Sequence, residues 1–365
     1  MSKRVIISGG GTGGHIFPAV AIANALQKIS PETEILFVGA QGRMEMEKVP
    51  AAGFKIIGLD IQGFQRKSLL KNLLLPYKMI MSLIKSRSII KDFKPDVAVG
   101  VGGYASGPLL YTASLMNIPY LIQEQNSYAG ITNKKLGKHA KKVCVAFAGM
   151  EKFFPEENIL LTGNPIRKET ADIAGKRDAA FEFFRLSPLK KTILVTGGSL
   201  GAGTLNNSML AGLDKIVAED VQLIWQTGKH YYQTIQEKLA GNQHDNVKVL
   251  EFLQKMDLAY AAADVIISRA GAGTIAELYV VKKPVILVPS PNVAEDHQTK
   301  NAMALVQNGA AVLVKDTEAE QNLVDTALLL LKDEKKCESL SANIGKMALP
   351  DADEVIAREV LKIAN

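Results

Sequence analysis

The fold class of this chain is decided by the stretch RVIISGGGTGGHIFPAVAIANAL, residues 4–26. An apolar run typical of a buried strand leads into Gly9, Gly11 and Gly14, which satisfy the spacing G-x-G-x-x-G, and a helix-forming segment follows. Glycines let the backbone approach a phosphate closely, and the N-terminus of a helix attracts negative charge. The stretch therefore predicts a Rossmann-like unit, with a dinucleotide as the first candidate ligand.

The next strand argues against a nicotinamide dinucleotide. Such a site needs an acid at the end of the second strand, where it binds a ribose. Here that strand, in EILFVGAQG at residues 34–42, ends in Gly39, Ala40 and Gln41 without a carboxylate. No Gly-Lys-Ser/Thr follows any glycine loop, which excludes a P-loop NTPase. The sequence thus favours a phosphate ligand of another kind.

The composition of the 365 residues predicts a soluble globular protein of two domains, with 47% hydrophobic and 22% charged residues. Cys144 and Cys337 are too few for a disulfide framework and fit a reducing cytoplasm, and the N-terminal residues lack the pattern of a signal peptide. Residues 97–123 carry no charge and are long enough to span a bilayer. Glycines and prolines interrupt them, so they predict buried strands and a helix instead.

Short apolar runs alternate with helical segments, which predicts an α/β fold of parallel sheets covered by helices. A second strand, glycine loop and helix at 191–210 open a second unit of the same kind. The joint is expected near 160–169, giving domains at 1–163 and 164–344, with a final helix within 345–365 completing the first. Besides the strand that opens the second unit, strands are predicted at 4–8, 35–38, 55–58, 97–101, 120–123, 143–146, 223–226, 247–251, 265–268, 285–289 and 311–314.

Three glycine-rich turns follow predicted strands, at 9–14, 100–108 and 196–203. One such turn alone would be ordinary punctuation between a strand and a helix. Because the carboxyl ends of parallel strands gather at one edge of a sheet, three of them together predict a phosphate-binding site.

A further stretch, at 268–306, combines several groups suited to a nucleotide sugar. Residues 271–274, Gly-Ala-Gly-Thr, would begin a helix whose N-terminus suits an anion. Glu277, one turn in, either accepts both hydroxyls of a ribose or merely complements the helix dipole. Gln298 both donates and accepts hydrogen bonds, which suits the hydroxyls of a sugar, although an ordinary surface glutamine is the simpler interpretation.

The basic surplus lies in the first half, where residues 1–163 hold 20 Lys and Arg against 11 Asp and Glu. Residues 66–94 alone hold eight basic residues and one acid, mixed with leucine, isoleucine and methionine. This mixture predicts docking on an anionic membrane surface. The alternative is a core-facing helix with solvated lysines, and Ile80 and Ile84 are expected to face the sheet. Nucleic acid is disfavoured because interleaved stacking aromatics are missing.

Six motifs recur in order along the chain: GGTGGHIFPA (10–19), GGYASGP (102–108), EQN (124–126), GNPIR (163–167), GGSLGA (197–202) and EDHQTKNA (295–302). In these motifs the chain resembles the MurG family, the N-acetylglucosaminyltransferases of peptidoglycan synthesis. The resemblance implies the GT-B fold, two Rossmann-like domains with parallel sheets facing across a cleft. It also implies inverting transfer of N-acetylglucosamine from its UDP carrier to the 4-hydroxyl of undecaprenyl-linked lipid I, giving lipid II.

The resemblance further implies a peripheral protein at the cytoplasmic face of the cell membrane, acting in cell-wall biogenesis and hence in cell shape and division. Its partners would be UDP-N-acetylglucosamine, lipid I and the membrane surface, with contacts to other cell-wall synthesis proteins left open. No cofactor and no protein-bound metal are expected. The string Asp351-Ala352-Asp353 has the Asp-x-Asp form of metal-dependent glycosyltransferases, but capping of the last helix explains it better.

Carried over motif by motif, the resemblance assigns donor-binding roles in both halves of the chain. The residues implied to face the donor sugar and its diphosphate are Thr12, Gly13, Gly14 and Asn126. Arg167 and Ser199 are implied to bind the nucleotide, and Phe252 and Leu253 are implied to bind the uracil. The residues implied to hold the phosphates are Gly271, Ala272, Gly273 and Thr274. Glu277 is implied to bind the ribose, and Gln298 the hydroxyls of the sugar.

A hydroxyl nucleophile calls for a general base, and two residues in these motifs are candidates. His15 leaves the first glycine loop and titrates near neutrality, although it could instead bind a phosphate or shape the loop. Glu124 is the second candidate, and a structural acid that holds its own loop is the favoured alternative. Gln123 stands where some family members have histidine, so that position is not expected to be an essential base. At position 273 this chain has glycine, whereas leucine is common there in the family.

Three other functions stay open on the sequence alone. The chain could use another UDP-sugar or acceptor, as a glycolipid synthase does. It could be an epimerase that releases a new sugar nucleotide without any acceptor. It could also be a non-catalytic scaffold of a cell-wall assembly that binds UDP and turns nothing over.

Overall fold

The computed structural model of the protein describes residues 2–63, 73–198, 200–241 and 244–364. The chain forms two compact units, which we call the N-terminal unit (Met1–Ile166 with Pro350–Asn365) and the C-terminal unit (Arg167–Leu349). The sequence placed these boundaries a few residues earlier, at 163 and 344.

In the described part of the N-terminal unit, seven strands form one sheet: β1 (Arg4–Gly9), β2 (Glu34–Ala40), β3 (Lys55–Leu59), β4 (Val97–Gly102), β5 (Tyr120–Glu124), β6 (Lys142–Val145) and β7 (Ile159–Leu161). They are parallel and run in the order β3-β2-β1-β4-β5-β6-β7. Val5 of β1 pairs with Ile35 on one side and with Val97 on the other. Because the strand order reverses beside β1, the loops that follow β1 and β4 emerge side by side.

Helices cover both faces of this sheet: α1 (Gly13–Ile29), α2 (Glu45–Ala51), α3 (Leu75–Phe93), α4 (Ser106–Leu115) and α5 (Ile131–Leu136). On one face, Ile90 of α3 and Leu109 of α4 are buried against the strands. On the other face, Ile16 and Ile22 of α1 are buried. Both faces of the strands are therefore covered, which explains their nearly continuous runs of valine and isoleucine.

The described part of the C-terminal unit contains six parallel strands: β8 (Thr192–Thr196), β9 (Gln222–Gln226), β10 (Val247–Leu250), β11 (Val265–Ser268), β12 (Val285–Leu287) and β13 (Val312–Leu313). Its helices are α6 (Lys168–Ala171), α7 (Arg177–Phe184), α8 (Gly203–Ala218), α9 (Tyr232–Lys238), α10 (Met256–Ala262), α11 (Ala272–Val281), α12 (His297–Val306), α13 (Ala319–Lys332) and α14 (Glu334–Lys346). The strand order is β10-β9-β8-β11-β12-β13, so the order again reverses beside the first strand. The predicted pair of Rossmann-like α/β units is confirmed.

The last helix, α15 (Ala352–Ile363), belongs to the N-terminal unit. Its Ile356, Ala357 and Val360 are fully buried in the same apolar cluster as α1. Asp351 occupies the N-cap position, but its side chain does not make the capping hydrogen bond. The prediction that capping explains this aspartate is therefore wrong, and burial of the apolar face of α15 accounts for the position of the helix instead.

Residues 97–123 form β4, α4 and β5, as predicted from their glycines and prolines. In the ranges that the structure describes, no helix is long and apolar enough to cross a membrane. The sequence analysis missed β7, a strand of three residues at the edge of the sheet. A strand this short has no readable alternation, and only its pairing with β6 defines it.

The sequence predicts that Ile80 and Ile84 of α3 face the sheet, and this prediction is wrong. Their side chains are 56% and 58% exposed, whereas Ser82, Ser86 and Ile90 are buried. Residues four apart lie on one side of a helix, so the isoleucines and the serines occupy different sides. Small side chains allow close packing between helices, and α3 packs against α4. The side of α3 that carries the serines is therefore the buried one.

The loops after β1 and β4 approach each other at the level of the backbone. Gly103 has φ +94°, and a Cβ placed on it would overlap the carbonyl oxygen of Gly10. Glycine is required at position 103 for two reasons: the backbone is left-handed there, and a side chain would overlap the backbone of Gly10. Gly42 has φ +70° with open space around it, so that glycine is required for its backbone conformation alone.

We predict that Gly103→Ala lowers the free energy of unfolding by about 3 kcal/mol or more, because it combines a left-handed alanine with an overlap between two backbones. Gly42→Ala, the matched control, carries only the conformational cost of about 1 kcal/mol. Urea unfolding followed by circular dichroism measures both. Equal losses for the two variants would show that the loops separate easily.

Candidate active site

The first glycine loop joins β1 to α1 and is held by the loop after β4. The Gly10 N–H donates to the carbonyl of Gly102 at 3.2 Å. Thr12 is the N-cap of α1 and has an extended backbone, and Gly13 and Gly14 are the first residues of the helix. The three residues predicted to face the diphosphate thus lie together at a helix N-terminus, where backbone N–H groups and the helix dipole favour an anion.

His15 lies in the first turn of α1, and its ring is held by the backbone of both loops. Its Nδ1 is 3.0 Å from the carbonyl oxygen of Gly10. Because a carbonyl only accepts, Nδ1 carries the proton in this contact, and in the neutral ring Nε2 then carries the lone pair. A Cβ on Gly102 would lie 2.8 Å from that Nε2, so glycine at 102 makes room for the ring. This tautomer is the one that a general base requires.

Glu45, at the start of α2, is a residue that the sequence analysis did not single out. Its side chain is fully buried, and its two oxygens accept from the Gly11 N–H at 2.9 Å and from the Ala40 N–H at 3.0 Å. The carboxylate therefore fastens the glycine loop to the end of β2. A dinucleotide site places an acid at this strand end, and here the acid comes five residues later and binds backbone. An acid shortly after the end of the second strand is therefore the signal by which the sequence could have revealed Glu45.

Glu124, the second candidate base, is buried at the end of β5. Its Oε2 accepts from Asn133 Nδ2 at 2.8 Å and from the Gly130 N–H at 3.1 Å, and its Oε1 accepts from the Asn126 N–H at 3.1 Å. Burial raises the pKa of the Glu124 carboxyl, and these hydrogen bonds oppose the rise. The carboxylate thus closes the loop that carries Asn126, as the structural alternative for this acid predicts.

Gln123 is part of a buried chain of side-chain amides. Its Nε2 donates to Asn164 Oδ1 at 2.7 Å, and Asn164 Nδ2 donates to the carbonyl of Gln125 at 3.0 Å. Gln125 in turn donates to the carbonyl of Val101 at 2.6 Å. These bonds tie the ends of β4 and β5 to the segment that precedes the C-terminal unit. The glutamine is committed to this network, which fits the prediction that position 123 is not an essential base.

In the C-terminal unit, the predicted uracil and nucleotide residues lie around one pocket. Arg167, Phe252 and Leu253 line a pocket of about 300 Å³, together with Glu169, Thr170, Lys176, Gln254, Lys255, Met256 and Asp257. Phe252 is exposed and Leu253 is buried. Lys176 pairs with Asp257 at 2.9 Å across part of this pocket. The structure thus brings Arg167 together with Phe252 and Leu253, which come much later in the sequence.

Glu277 lies one turn into α11 and adjoins the same residues. Its side chain is 17% exposed, and its Oε1 is 3.9 Å from Nη2 of Arg167. The Tyr260 hydroxyl, on α10, donates to Glu277 Oε2 at 3.0 Å. Burial raises the pKa of the Glu277 carboxyl, and Tyr260 and Arg167 oppose the rise. Tyr260 was not found from the sequence, because nothing in α10 indicates that its tyrosine reaches a carboxylate on another helix.

The remaining donor residues lie on two neighbouring helices. Gly271 is the N-cap of α11, and residues 272–274 form its first turn, one turn before Glu277. Gln298 lies in the first turn of α12, and its Oε1 accepts from the Ser290 N–H at 2.9 Å. Its side chain therefore joins α12 to the loop after β12. Ser199 lies outside the described residues.

A half-buried ion pair supports the loop before α11. Arg269 pairs with Asp316 and donates to the carbonyl of Val288 at 3.0 Å. Thr204, in the first turn of α8, donates to the other oxygen of Asp316 at 3.0 Å. These bonds connect the ends of β11 and β12 with the start of α8. The sequence signal, which the sequence analysis did not use, is an arginine directly after a buried strand.

Within the described ranges, no group of three or more histidine, cysteine, aspartate or glutamate side chains is arranged to hold a metal ion. That no metal is required stays a prediction.

Comparison with known proteins places this site in a family. Residues 5–145 match the glycosyltransferase family 28 N-terminal domain, and residues 192–356 match its C-terminal domain. A protein of Bacteroides thetaiotaomicron, named UDP-N-acetylglucosamine–N-acetylmuramyl-(pentapeptide) pyrophosphoryl-undecaprenol N-acetylglucosamine transferase, is 58% identical over 363 residues, 99% of this chain and 98% of its own. The crystal structure of Acinetobacter baumannii MurG superposes with a TM-score of 0.81 at 29% identity, over 99% of both chains.

The chain belongs to the MurG family. It is a glycosyltransferase with the two-domain fold of that family, as the six sequence motifs predicted. A UDP-N-acetylglucosamine 2-epimerase of Neisseria meningitidis superposes on the chain with a TM-score of 0.67 at 16% identity, over 99% of this chain and 100% of its own. At that identity the likeness extends to the fold alone. The MurG fold thus accommodates more than one reaction, and the activity follows from the residues of the site.

For this MurG-family chain we predict that Glu45→Gln lowers the free energy of unfolding by about 2–4 kcal/mol. The amide nitrogen of glutamine would face a backbone N–H, and a charged hydrogen bond contributes about 1.5–3 kcal/mol. Glu47→Gln, an exposed change on the same helix, is the control and should stay within about 0.5 kcal/mol of wild type. Urea unfolding measures both, and a Glu45→Gln variant as stable as the control would contradict the role of this carboxylate.

Proposed function

We propose that this chain transfers N-acetylglucosamine from UDP-N-acetylglucosamine to the 4-hydroxyl of the N-acetylmuramoyl-pentapeptide of undecaprenyl-pyrophosphoryl lipid I, giving lipid II. The observation that carries the proposal is the full-length match to the Bacteroides thetaiotaomicron transferase, which covers both units. The site residues described above supply the chemical groups that such a transfer needs, in both units of the chain.

The C-terminal unit binds the donor in this proposal. The pocket that Phe252 and Leu253 line takes the uracil, since it combines these apolar side chains with polar and charged neighbours. Glu277 takes the ribose hydroxyls, because a carboxylate accepts two hydrogen bonds at once. The N-terminus of α11 holds the diphosphate, with Arg167 nearby as a further positive charge. Gln298 contacts the hydroxyls of the sugar. Asn126, on the loop after β5, also contacts the donor sugar.

His15 acts as the general base. Its Nε2 takes the proton of the acceptor hydroxyl while that oxygen attacks the anomeric carbon, and the bond from this carbon to the diphosphate breaks with inversion. UDP leaves with the electron pair, and helix N-termini and backbone N–H groups stabilise the developing charge. This assignment rests on the hydrogen bond from Nδ1 to the carbonyl of Gly10, which leaves Nε2 as the acceptor nitrogen of the neutral ring. Glu124 serves as a positioning residue, because its oxygens are occupied by the 126–133 loop.

The N-terminal unit also docks on the membrane surface in this proposal. Tyr77, Ile80, Met81 and Ile84 form an exposed row on α3, which we call the apolar stripe. Tyr111 and Leu115 are exposed on α4, against which α3 packs. Arg87, Lys91 and Lys94 follow on α3 and at its end. Exposed apolar side chains beside cations suit the interface of an anionic bilayer, and the peripheral location at the cytoplasmic face rests on this surface.

The docking segment was predicted at 66–94, and residues 64–72 lie outside the described residues. The proposal therefore rests on α3 and α4. Contacts with other cell-wall synthesis proteins are left as an expectation of the family resemblance.

We predict transfer of radiolabelled N-acetylglucosamine from UDP to a short-chain lipid I analogue, with equal rates in the presence and absence of EDTA. The protein groups named above stabilise the leaving diphosphate without a metal. Thin-layer separation of the labelled lipid measures the product. Tight UDP binding without transfer would overturn the acceptor, a new sugar nucleotide would indicate an epimerase, and label in diacylglycerol alone would indicate a glycolipid synthase.

Two variants test the base within the same assay. His15→Ala should lower kcat by about 10²–10⁴-fold, the usual contribution of a general base, and leave the affinity for UDP within about twofold. His139→Ala, an exposed histidine of the same unit, is the matched control and should leave kcat unchanged. If His15→Ala retains wild-type kcat, another group takes the proton.

We predict that vesicles containing phosphatidylglycerol sediment the protein, that phosphatidylcholine vesicles do so less, and that added salt weakens the binding. Ile80→Glu with Ile84→Glu should lower the bound fraction about tenfold, since two apolar side chains are lost and two negative charges gained. Leu329→Glu, equally exposed on α13 of the C-terminal unit, is the control. Unchanged binding of the double variant would contradict docking through the apolar stripe.

A further inference from the structure

A fully buried tyrosine lies next to the carboxylate to which the donor assignment gives the ribose. Tyr260 of α10 has no exposed surface, and its hydroxyl donates to Glu277 Oε2 at 3.0 Å. A hydrogen bond to a charged acceptor is stronger than one between neutral groups. A buried hydroxyl also needs a hydrogen-bond partner, so this bond holds both the Tyr260 hydroxyl and the Glu277 carboxylate in place.

The other contact of this carboxylate is much looser. Arg167 Nη2 is 3.9 Å from Glu277 Oε1, and the arginine side chain is 65% exposed. Exposed ion pairs at this distance hold a side chain weakly, because water screens the charges and both side chains keep their freedom. The orientation of Glu277 therefore depends on Tyr260.

We propose that Tyr260 is a positioning residue that fixes Glu277 for recognition of the 2′- and 3′-hydroxyls of a ribose, and so makes this unit specific for ribonucleoside diphosphates. The proposal rests on the donor assignment of Glu277 made above. Each carboxylate oxygen has two lone pairs, so Oε2 accepts from Tyr260 and still accepts from a ribose hydroxyl. Oε1 is directed towards Arg167, and it accepts from the second hydroxyl.

The preference for ribose over 2′-deoxyribose arises because a 2′-deoxy ligand leaves the Glu277 carboxylate without one hydrogen-bond partner. A site built to hydrogen-bond a hydroxyl rejects the analogue that lacks it, because a partly buried polar group then stays unpaired. This penalty is large only if the carboxylate cannot turn to another partner. Tyr260 prevents that rotation, so the preference for ribose over 2′-deoxyribose depends on a residue that does not touch the ligand.

The test is the affinity of the full chain for UDP and for 2′-deoxy-UDP, measured by calorimetry on wild type and Tyr260→Phe. The variant keeps the ring and removes one oxygen. The Kd for UDP should rise about tenfold, while the Kd for 2′-deoxy-UDP changes by less than about threefold. In the transfer assay KM for the donor should rise, with kcat within about twofold of wild type, because Tyr260 contacts no reacting atom.

Tyr279→Phe is the matched control, since Tyr279 is a buried tyrosine on α11, the helix that carries Glu277. It removes a hydroxyl from another buried tyrosine and should leave the ratio of the two affinities unchanged. Thermal unfolding of both variants shows whether each is folded. If Tyr279→Phe changes the ratio as much as Tyr260→Phe, the effect belongs to packing in general and the proposal is overturned.

A double variant separates the proposal from the donor assignment. If Tyr260 acts through Glu277, Tyr260→Phe should weaken UDP binding in wild type but hardly at all in Glu277→Gln. A ratio of affinities that changes in Glu277→Gln and not in Tyr260→Phe overturns the role of Tyr260 alone. A ratio unchanged by Glu277→Gln shows that the carboxylate is not the ribose ligand, and then the donor assignment fails with it.

Discussion

The loop after β4 lies directly against the backbone of the loop after β1, and this contact sets the position of the His15 ring. It exists because the strand order reverses beside β1, which brings the two loops side by side. The hydrogen bond from Gly10 to Gly102 and the absence of a side chain at Gly103 permit the approach. The His15 ring then fits between a carbonyl of one loop and a glycine of the other. A change in either loop would therefore move the His15 ring.

The buried carboxylates of Glu45 and Glu124 and the half-buried carboxylate of Glu277 differ in the groups that satisfy them. Glu45 accepts from two backbone N–H groups, and Glu124 accepts from two backbone N–H groups and Asn133. Buried charge is costly unless it is hydrogen-bonded, so these two acids are committed to their loops. Glu277 instead has one firm partner, Tyr260, and keeps some exposure. An acid that is held on one side and open on the other is suited to a ligand, whereas a fully satisfied acid is suited to architecture.

The sequence predicted the elements that are long and strongly patterned, and it failed where a neighbouring element made the choice. The central strands and glycine loops follow from apolar runs that end in glycine. The edge strand β7 was missed because three residues carry no period, and Ile80 was placed in the core because isoleucine is usually buried. In the site, the sequence singled out His15 and Glu277 as candidates but not Glu45 or Tyr260. Glu45 was missed because this acid comes five residues after the strand end. Tyr260 was missed because its hydrogen bond to Glu277 joins two helices, and no local pattern marks it.

What the sequence by itself determined is the α/β class, the two units with their glycine loops, and the family with its expected donor residues, because periodicity, glycine spacing and motif order are local properties of a chain. The tertiary structure decided which face of α3 is buried, which tautomer His15 adopts, and which of the acids is held closed. These depend on distances between residues such as Tyr260 and Glu277, which only packing brings to 3.0 Å. Hydrogen bonds and burial act through space, so they are fixed only once the units have folded.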